Sequence, residues 1–468
     1  MDLSKADFID DQKIFGLLEN SKTAPSSAEV HRIIDKAALS GGLSPWETAV
    51  LLNVEDPVLL DRIYRTAKEI KESIYGKRLV FFVPLYISDY CINNCVYCGS
   101  RRQNSFERRK LTMREIGNEV TVLEEMGHKR IAMECGEDPE NCPIDYVIEA
   151  IETIYSVKRE KGSIRRINVN IAATTVENYK RLHDAKIGTY ILFQETYHRP
   201  TYAKMHPSGP KKNYDWHTLA FDRAMEGGID DVGAGVLFGL YDYKYEVLAL
   251  LFHAMHLEEA WGVGPHTISV PRIRPAGGID LGTFPWLVSD REFKKLIAVI
   301  RLAVPYTGMI LSTREPAALR DELISLGISQ LSAGSCTGVG GYYREESTES
   351  EAQQTQFKIE DGRSLDEVVA GVCESGYIPS FCTACYRKGR TGDRFMSLAK
   401  TGKIQNVCQP NAILTFKEFL LDYASPETRL AGERAIRKHL DRIGDPEVKQ
   451  ETLKRLAKLE EGTRDLYF

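Results

Sequence analysis

Residues 79–98 read LVFFVPLYISDYCINNCVYC, an apolar, aromatic-rich run that passes directly into three closely spaced cysteines. The run 79–87 has the length and the side chains of a strand that is covered on both faces, as in a parallel sheet. Cys91, Cys95 and Cys98 then follow with C-x3-C-x2-C spacing. This stretch therefore predicts the first strand of the fold and, in the loop that follows it, a cluster of thiol ligands.

The same alternation of strand and helix continues downstream. Helices are predicted near 112–127, 143–161, 214–227 and 243–260, and Thr112/Glu115, Thr174/Glu177 and Ser289/Glu292 are predicted to be capping pairs at helix starts. Seven further apolar strands are predicted at 129–135, 166–172, 188–194, 230–238, 266–272, 308–312 and 328–334. Eight strands in about 255 residues match an α/β fold of the (β/α)8 TIM-barrel type, in which chemistry lies at the carboxyl ends of the strands. An open, doubly wound sheet is the alternative.

The sequence divides into three parts around this barrel. Residues 1–78 are expected to form a helical N-terminal extension, with Ser44 capping one helix and another helix ending at Gly76. Residues 79–335 form the predicted barrel. Residues 336–468 are expected to be a C-terminal iron–sulfur domain that begins with a polar surface loop and ends in charged helices.

Composition narrows the class of protein. The 468 residues include 61 Lys and Arg against 66 Asp and Glu, a net charge of −5 that gives no support to nucleic-acid binding. No run of about 18 apolar residues predicts a membrane span, and MDLSKADFIDDQKIF has no apolar core of a signal peptide. We therefore expect a cytoplasmic protein, and in a reducing compartment clustered cysteines are more often metal ligands than disulfides.

A second cysteine triad follows the barrel. Cys382, Cys385 and Cys408 have C-x2-C-x22-C spacing, and like the first triad they lack a fourth cysteine nearby. Three thiolates can hold a cubane iron–sulfur cluster and leave one iron open, whereas a structural zinc site, the alternative, needs four ligands. The unclustered cysteines are predicted to be small buried hydrophobic residues: Cys135, Cys142, Cys336 and Cys373.

The first triad resembles that of the radical SAM superfamily. The resemblance implies a [4Fe-4S] cluster whose open iron binds S-adenosylmethionine (SAM), which one electron cleaves to methionine and a 5′-deoxyadenosyl radical. Cys135-Gly136-Glu137 resembles the GGE motif of that superfamily, with Cys135 in place of its first glycine. The resemblance assigns SAM contacts to six residues: Tyr97, Gly136, Glu137, Glu195, Gly235 and Gly239.

The two triads together resemble those of the HydG family, over nearly the whole chain. The resemblance implies cleavage of the Cα–Cβ bond of L-tyrosine to p-cresol and dehydroglycine. It further implies conversion of dehydroglycine to CO and cyanide at a second [4Fe-4S] cluster that carries an additional iron and L-cysteine. The product would be an Fe(CO)2(CN)-cysteine synthon for the [FeFe]-hydrogenase H-cluster. The resemblance also implies that the enzyme takes electrons from an external one-electron reductant and makes transient contact with other maturation proteins.

Single residues are predicted to serve these steps. His266 opens the sixth strand and therefore lies at the amino-terminal mouth of the barrel, and the resemblance makes it a ligand of the additional iron. From this we derive the hypothesis that the second cluster docks at that mouth and that a small intermediate crosses the barrel. His253 and His256 are expected to be surface residues. Substrate contacts are predicted for Arg314, Ser332, Ser335, Gln194 and Tyr197.

Two alternatives remain open at this stage. One is a tyrosine lyase of the ThiH type, which serves thiazole synthesis and in which the second triad binds zinc or nothing. The other is a non-enzymatic iron–sulfur scaffold, against which the SAM motifs argue.

Overall fold

The computed structural model describes residues 4–23, 26–343 and 355–468. Residues 344–354, which belong to the predicted polar loop, lie outside the described residues. The rest of that stretch, up to the next helix at Leu365, contains no regular helix or strand, as predicted.

The N-terminal extension consists of four helices: α1 (Asp11–Asn20), α2 (Ser27–Ala38), α3 (Pro45–Leu52) and α4 (Pro57–Tyr75). Ser44 caps α3 and forms the predicted capping box with Glu47. Gly76 ends α4 with a φ of 66°, a conformation that glycine adopts without the steric cost of a side chain.

Eight parallel strands close into a barrel, because β8 pairs with β1 and β1 pairs with β2. This closure confirms the predicted (β/α)8 barrel and excludes the open sheet. The strands are β1 (Arg78–Ser88), β2 (Arg130–Cys135), β3 (Arg166–Asn170), β4 (Tyr190–Glu195), β5 (Val232–Val236), β6 (Thr267–Ser269), β7 (Gly308–Leu311) and β8 (Gln330–Ser332).

Helices surround the barrel on the outside. They are α5 (Met113–Glu125), α6 (Ile144–Ser156), α7 (Val176–Asp184), α8 (Arg199–Met205), α9 (Tyr214–Thr218), α10 (Ala220–Glu226), α11 (Tyr243–Trp261), α12 (Asp290–Ala303) and α13 (Ala317–Ile324). The capping boxes that begin at Thr112 and Ser289 are present.

Three helix predictions need correction. The cap of α7 is Thr175, whose side chain accepts from the Asn178 amide, and not the neighbouring Thr174. The helix predicted over 214–227 is two helices that meet at Leu219. The helix predicted over 143–161 ends at Ser156, because Val157 is extended.

The chain after the barrel attaches to its amino-terminal mouth. It comprises α14 (Leu365–Glu374), β9 (Ile378–Ser380), α15 (Ala384–Arg387), α16 (Gly392–Lys400), α17 (Gln405–Asp422), α18 (Pro426–Leu440) and α19 (Pro446–Glu460). β1 starts before its neighbour β8, and the protruding residues Arg78–Val80 pair in parallel with β9. The loop that carries Cys382 and Cys385 is therefore fixed beside the first residues of the barrel strands.

None of the helices in the described part of the chain is long and apolar enough to cross a membrane.

Candidate active sites at the two mouths of the barrel

The carboxyl-terminal mouth of the barrel opens into a cavity of about 240 Å³, which we call the upper cavity. Its wall includes Cys91, Cys95 and Cys98, together with residues at or just beyond the carboxyl ends of the strands. The short segment Gln356–Phe357, which follows the undescribed residues, lines the same cavity. The first triad therefore lies at the mouth where it was predicted.

The three thiols of the upper cavity share a water-poor environment. Burial raises the pKa of Cys95 to about 12 and that of Cys98 to about 11, and the neighbouring thiols of the triad raise both further. Lys211 opposes both shifts with its positive charge. Since metal binding deprotonates thiols, this all-cysteine set of three donors fits an iron–sulfur cluster with one open iron.

The loop after β2 lies directly against the cysteine loop. A Cβ atom on Gly136 would come within 2.2 Å of the Tyr90 carbonyl oxygen, so only glycine fits there. The Glu137 carbonyl oxygen accepts a hydrogen bond of 2.8 Å from the Ile92 amide, and its carboxylate accepts one of 2.5 Å from Asn93. Gly136 and Glu137, to which the resemblance assigns SAM contacts, both line the upper cavity.

Cys135 differs from its prediction as a buried hydrophobic residue. Its thiol is only partly buried, lines the upper cavity and donates to the Gly136 carbonyl oxygen at 3.3 Å. Cys142 and Cys336 are also only partly buried, whereas Cys373 is buried as predicted.

Glu195 ends β4 in an unusual backbone conformation. Its φ is 69°, which is uncommon for a residue with a side chain and is typical of strained functional sites. The Lys211 ammonium group donates to the Glu195 carboxylate at 2.8 Å, and both side chains line the upper cavity. Burial opposes the charge of Lys211, but Glu195 and Cys95 raise its pKa above the usual value. Lys211 is a site residue that no sequence motif identified.

The remaining residues assigned to SAM divide into two groups. Tyr97 lines the upper cavity, and its hydroxyl lies 2.8 Å from Nε2 of His206. Gly235 and Gly239 are not among the residues that line the cavity. A Cβ atom on Gly235 would lie 2.4 Å from the ring of Phe193, which does line it, so Gly235 acts as a close-packing position behind the wall.

Arg314 extends from the end of β7 into the upper cavity. Its guanidinium group stacks on the ring of Phe357 at 3.4 Å, and within the described chain no carboxylate forms an ion pair with it. Burial lowers the pKa of Arg314, although Tyr86, Glu195 and Glu134 oppose the shift. The group is thus a half-buried cation without an ionic partner in the described chain, which suits the capture of a carboxylate.

Glu134 is a second site residue that the sequence did not single out. It lines the upper cavity and accepts a hydrogen bond of 2.7 Å from Asn170. Burial raises the pKa of Glu134 to about 8, against the opposing effects of Asn170 and Arg314. Ser332, which was predicted, lies on the same wall.

Three predicted substrate contacts do not line the upper cavity. Gln194 faces outwards and donates to Thr218 on α9 at 2.9 Å, because successive residues of a strand point to opposite sides. Ser335 has a buried hydroxyl, but it does not reach the cavity wall. Tyr197 is fully buried, and its hydroxyl lies 2.8 Å from Nδ1 of His253.

The histidines of α11 are not surface residues. His253 is 2% exposed, and Nε2 of His256 lies 2.8 Å from Asp222. α11 is covered by the N-terminal extension as well as by the barrel, which leaves little of it exposed.

Glu246 of α11 supports the loop after β4 and provides a test of this buried arrangement. Its carboxylate accepts hydrogen bonds from the Thr196 hydroxyl and, at 2.8 Å, from the Tyr197 amide. Burial raises its pKa from 4.5 to about 8, although these hydrogen bonds oppose the shift. A carboxyl group whose pKa is raised by folding contributes its full stabilisation below pH 4.5. This contribution is lost as the pH rises from 4.5 to about 8.

We therefore expect Glu246→Gln to flatten the pH dependence of stability. The free energy of unfolding of the wild type should fall across this window more steeply than that of the variant, because glutamine does not ionise. Denaturant unfolding at several pH values measures both slopes, and equal slopes would contradict the assignment.

The amino-terminal mouth of the barrel opens into a smaller cavity of about 60 Å³, the lower cavity. Cys382, Cys385 and Cys408 line it together with His266. The structure thus places the second triad and His266 together, at the mouth opposite the first triad. Had both triads been on one face, the hypothesis of a crossing intermediate would have failed.

The donor set of the lower cavity fits a second iron–sulfur centre. Nδ1 of His266 lies 3.3 Å from Asp231 but makes no hydrogen bond to it, and the imidazole lines the cavity beside the cysteines, where it is a suitable ligand for iron. Hydrogen bonding with Cys385 lowers the pKa of the Cys408 thiol, and the positive charge of Arg78 contributes in the same direction. Three cysteines again leave one position of a cubane open.

The two cavities are lined by adjacent inward-facing positions on the same barrel strands. Phe82, Ala132 and Ile310 form a small buried cluster that lines the upper cavity. Two residues earlier on the same strands, Val80, Arg130 and Gly308 line the lower cavity. Positions two apart on a strand are about 6.6 Å apart, so the two cavities approach each other closely inside the barrel.

Comparisons with known proteins agree with this geometry. Residues 85–253 match the model of the radical SAM superfamily, and residues 269–378 match that of the biotin and thiamin synthesis associated domain. The 2-iminoacetate synthase of Escherichia coli (strain K12) is 30% identical over 362 residues, which cover 77% of this chain and 90% of that protein.

Two solved structures are similar over almost the whole chain. A crystal structure of HydG, a maturase of the [FeFe]-hydrogenase, is 62% identical with a TM-score of 0.96 and covers 99% of this chain and 100% of its own. The HydG maturase from Carboxydothermus hydrogenoformans is 40% identical with a TM-score of 0.83, over 96% of this chain and 99% of its own.

The closed barrel with three cysteines after its first strand, at the mouth that holds the upper cavity, defines a radical SAM enzyme. Within that class the chain belongs to the HydG family of [FeFe]-hydrogenase maturases. Its radical SAM domain implies a [4Fe-4S] cluster and SAM, for which the upper cavity supplies the three cysteines.

Proposed function

We propose that the protein is a two-site enzyme. It cleaves L-tyrosine to p-cresol and dehydroglycine in the upper cavity, and it converts dehydroglycine to CO and cyanide in the lower cavity. The observation that carries this proposal is the placement of two cysteine triads at opposite mouths of one barrel, with adjacent layers of its interior lining the two cavities.

The upper cavity holds the SAM and tyrosine steps. When bound at Cys91, Cys95 and Cys98, the cluster supplies the electron that splits SAM into methionine and the 5′-deoxyadenosyl radical. The Glu195 carboxylate accepts hydrogen bonds from the ribose hydroxyls of SAM. We assign the SAM carboxylate to Lys211, the cation that pairs with this glutamate and lowers the pKa of the Cys95 thiol.

Arg314 holds the tyrosine carboxylate, with Ser332 beside it. This fixes the substrate amino group for hydrogen abstraction, and positioning of this kind removes much of the entropic cost of the reaction. Glu134, whose raised pKa keeps much of it protonated near neutral pH, provides a hydrogen-bond donor on the same wall. Cleavage of the Cα–Cβ bond then leaves dehydroglycine near the layer of Phe82 and Ile310.

The lower cavity receives dehydroglycine through the barrel. Dehydroglycine contains the atoms of one CO, one HCN and one water, so its breakdown needs no external oxidant or reductant. The additional iron and its L-cysteine are the substrates that collect these products, and His266 is the protein ligand of that iron. Imidazole is a suitable ligand for iron, and the Asp231 carboxylate lies 3.3 Å from Nδ1 of this ring.

The wider setting follows from this chemistry. A cluster with an open iron is sensitive to oxygen, so we place the reaction in the reducing cytoplasm. An external one-electron reductant feeds the upper site, and other maturation proteins receive the iron–carbonyl–cyanide product.

Anaerobic turnover with SAM, dithionite, tyrosine, iron and cysteine tests the proposal. We expect p-cresol and CO in the same sample, and an iron content of two cubanes plus one further iron. The 30% identical 2-iminoacetate synthase supports the alternative in which only the upper site reacts. That alternative requires p-cresol without CO and the iron of a single cubane.

Arg314→Lys tests the assignment of the substrate carboxylate. Lysine keeps the charge but lacks the planar fork of a guanidinium group, so a loss of about 1.5–3 kcal/mol is expected, as for hydrogen bonds to charged groups. This corresponds to roughly 10- to 150-fold in the KM for tyrosine, while cleavage of SAM without substrate continues. Steady-state kinetics of p-cresol and 5′-deoxyadenosine formation measure the two effects.

Arg102→Lys is the matched control, because Arg102 is exposed in the loop after the cysteines. An unchanged KM in Arg314→Lys would overturn the role of Arg314.

A further inference from the structure

The lower cavity carries more positive charge than its cysteines explain. Three arginines line it, namely Arg78, Arg130 and Arg390, and no aspartate or glutamate is part of its wall. The iron core of a cubane is itself cationic and offsets much of the charge of its thiolate ligands. A bound cluster would therefore leave positive charge in the cavity uncompensated.

Arg78, the first residue of β1, shows this excess most directly. It is 9% exposed, and its Nε is buried without a hydrogen-bond partner in the described chain. Its guanidinium carbon lies 5.9 Å from the ring centre of Tyr75, and within the described chain no carboxylate pairs with it. A buried guanidinium group left in this state is costly, and an unsatisfied buried polar group calls for an explanation such as a missing ligand.

Two further hydrogen-bond donors of the lower cavity are also buried without a partner. Nε of Arg390 and the hydroxyl of Thr383 are buried without partners in the described chain, and both residues line the lower cavity. The main chain holds the other end of Arg390, which donates from Nη2 to the Phe468 main-chain oxygen at 2.9 Å. Arg130 donates in the same way to the Cys382 carbonyl oxygen at 2.9 Å. The guanidinium group of Arg390 also hydrogen-bonds the Cys385 thiol, so the donors that remain available for a ligand are Nε of Arg78, Nε of Arg390 and the hydroxyl of Thr383.

We infer that Arg78, Arg390 and Thr383 form a carboxylate-binding site that holds dehydroglycine beside the second cluster. Guanidinium groups bind a carboxylate through paired, charge-assisted hydrogen bonds. Dehydroglycine is the small carboxylate that the upper cavity delivers, so this inference rests on the proposed function. These residues act by positioning the substrate before its bonds break.

The expected result for Arg78→Lys is a change in the fate of dehydroglycine. Released dehydroglycine is hydrolysed, HN=CH–COO⁻ + H2O → O=CH–COO⁻ + NH3, and appears as glyoxylate. We expect unchanged p-cresol, CO reduced about 10- to 100-fold, and glyoxylate increased by the amount of CO that is lost. Arg390→Lys should likewise lower CO and raise glyoxylate. This second variant keeps the test decisive if Arg78→Lys fails to load its clusters.

A spectroscopic measurement tests the site without turnover. In a Cys98→Ala background only the lower site retains its complete cysteine set, and glyoxylate serves as the probe. The electron paramagnetic resonance signal of the reduced lower cluster should shift on addition of glyoxylate. Arg78→Lys should raise the glyoxylate concentration needed for half of this shift about 10- to 100-fold.

Arg166→Lys is the matched control. Arg166 stacks on Tyr386 at 3.5 Å but does not line the lower cavity, so its variant should retain both CO formation and the spectral shift. Wild-type CO yield and a wild-type spectral response in Arg78→Lys would overturn the site, because charge alone would then suffice. Absence of p-cresol and CO from the wild type would instead overturn the proposed function, and the spectral test would still decide whether the lower cavity binds a carboxylate.

Discussion

Replacing Cys98 with alanine should abolish SAM cleavage, p-cresol formation and CO formation together. Cys98 lines the upper cavity with Cys91 and Cys95, and of the other described cysteines near that mouth, Cys135, Cys142 and Cys336, only Cys135 is part of the cavity wall. Two thiolates do not hold a cubane with a single open iron. Since every later step depends on the radical derived from SAM, all products should fall to the level seen without enzyme.

The measurement compares methionine, 5′-deoxyadenosine, p-cresol and CO in one anaerobic sample, together with the iron content. The variant should lose the iron of one cubane and keep that of the other. Cys373→Ala is the matched control, because Cys373 is a buried cysteine of α14 that lines neither cavity. Continued SAM cleavage by Cys98→Ala would show that the first triad is not the cluster site.

The strand pattern of the barrel could be predicted because parallel strands buried on both faces are apolar along their whole length. The first and last residues of each strand could not be predicted in this way. β6 was predicted over 266–272 but spans only Thr267–Ser269, because apolar residues continue into the loop after the pairing has ended. The start of β6 was nevertheless close enough to place His266 at the correct mouth of the barrel.

The errors at the site have a common cause. Gln194 and Tyr197 were selected because they flank Glu195 in the sequence, but strand alternation and the turn after β4 point them away from the cavity. Lys211 was missed for the opposite reason. It is 16 residues from Glu195 in the sequence, and only the folded loop brings the two side chains together.

The charge of the lower cavity was also beyond prediction from sequence. Arg78 precedes an apolar strand, where a charged residue is usually a solvated flanking residue. Its burial depends on β9, which covers the start of β1 and comes from a segment 300 residues later in the chain. The residues that compose this mouth become neighbours only through that pairing.

Cys382→Ala separates the two sites most sharply. Cys382 lines the lower cavity, and its contact with Arg130 is made by the carbonyl oxygen, which alanine retains. The upper cavity lies beyond the layer of Phe82, Ala132 and Ile310 and should keep its cluster and its tyrosine site. We therefore expect p-cresol at the wild-type rate, no CO above background and glyoxylate in the amount of the missing CO.

The same sample decides between two origins of this loss. If the second triad only stabilised the fold, Cys382→Ala would lower p-cresol and CO in equal proportion and would also lower the free energy of unfolding. If the triad holds the second cluster, the p-cresol rate stays constant while the iron content falls by one cubane and the additional iron. Equal loss of both products would contradict the division of labour between the two mouths, because the barrel would then have no second site for dehydroglycine to reach.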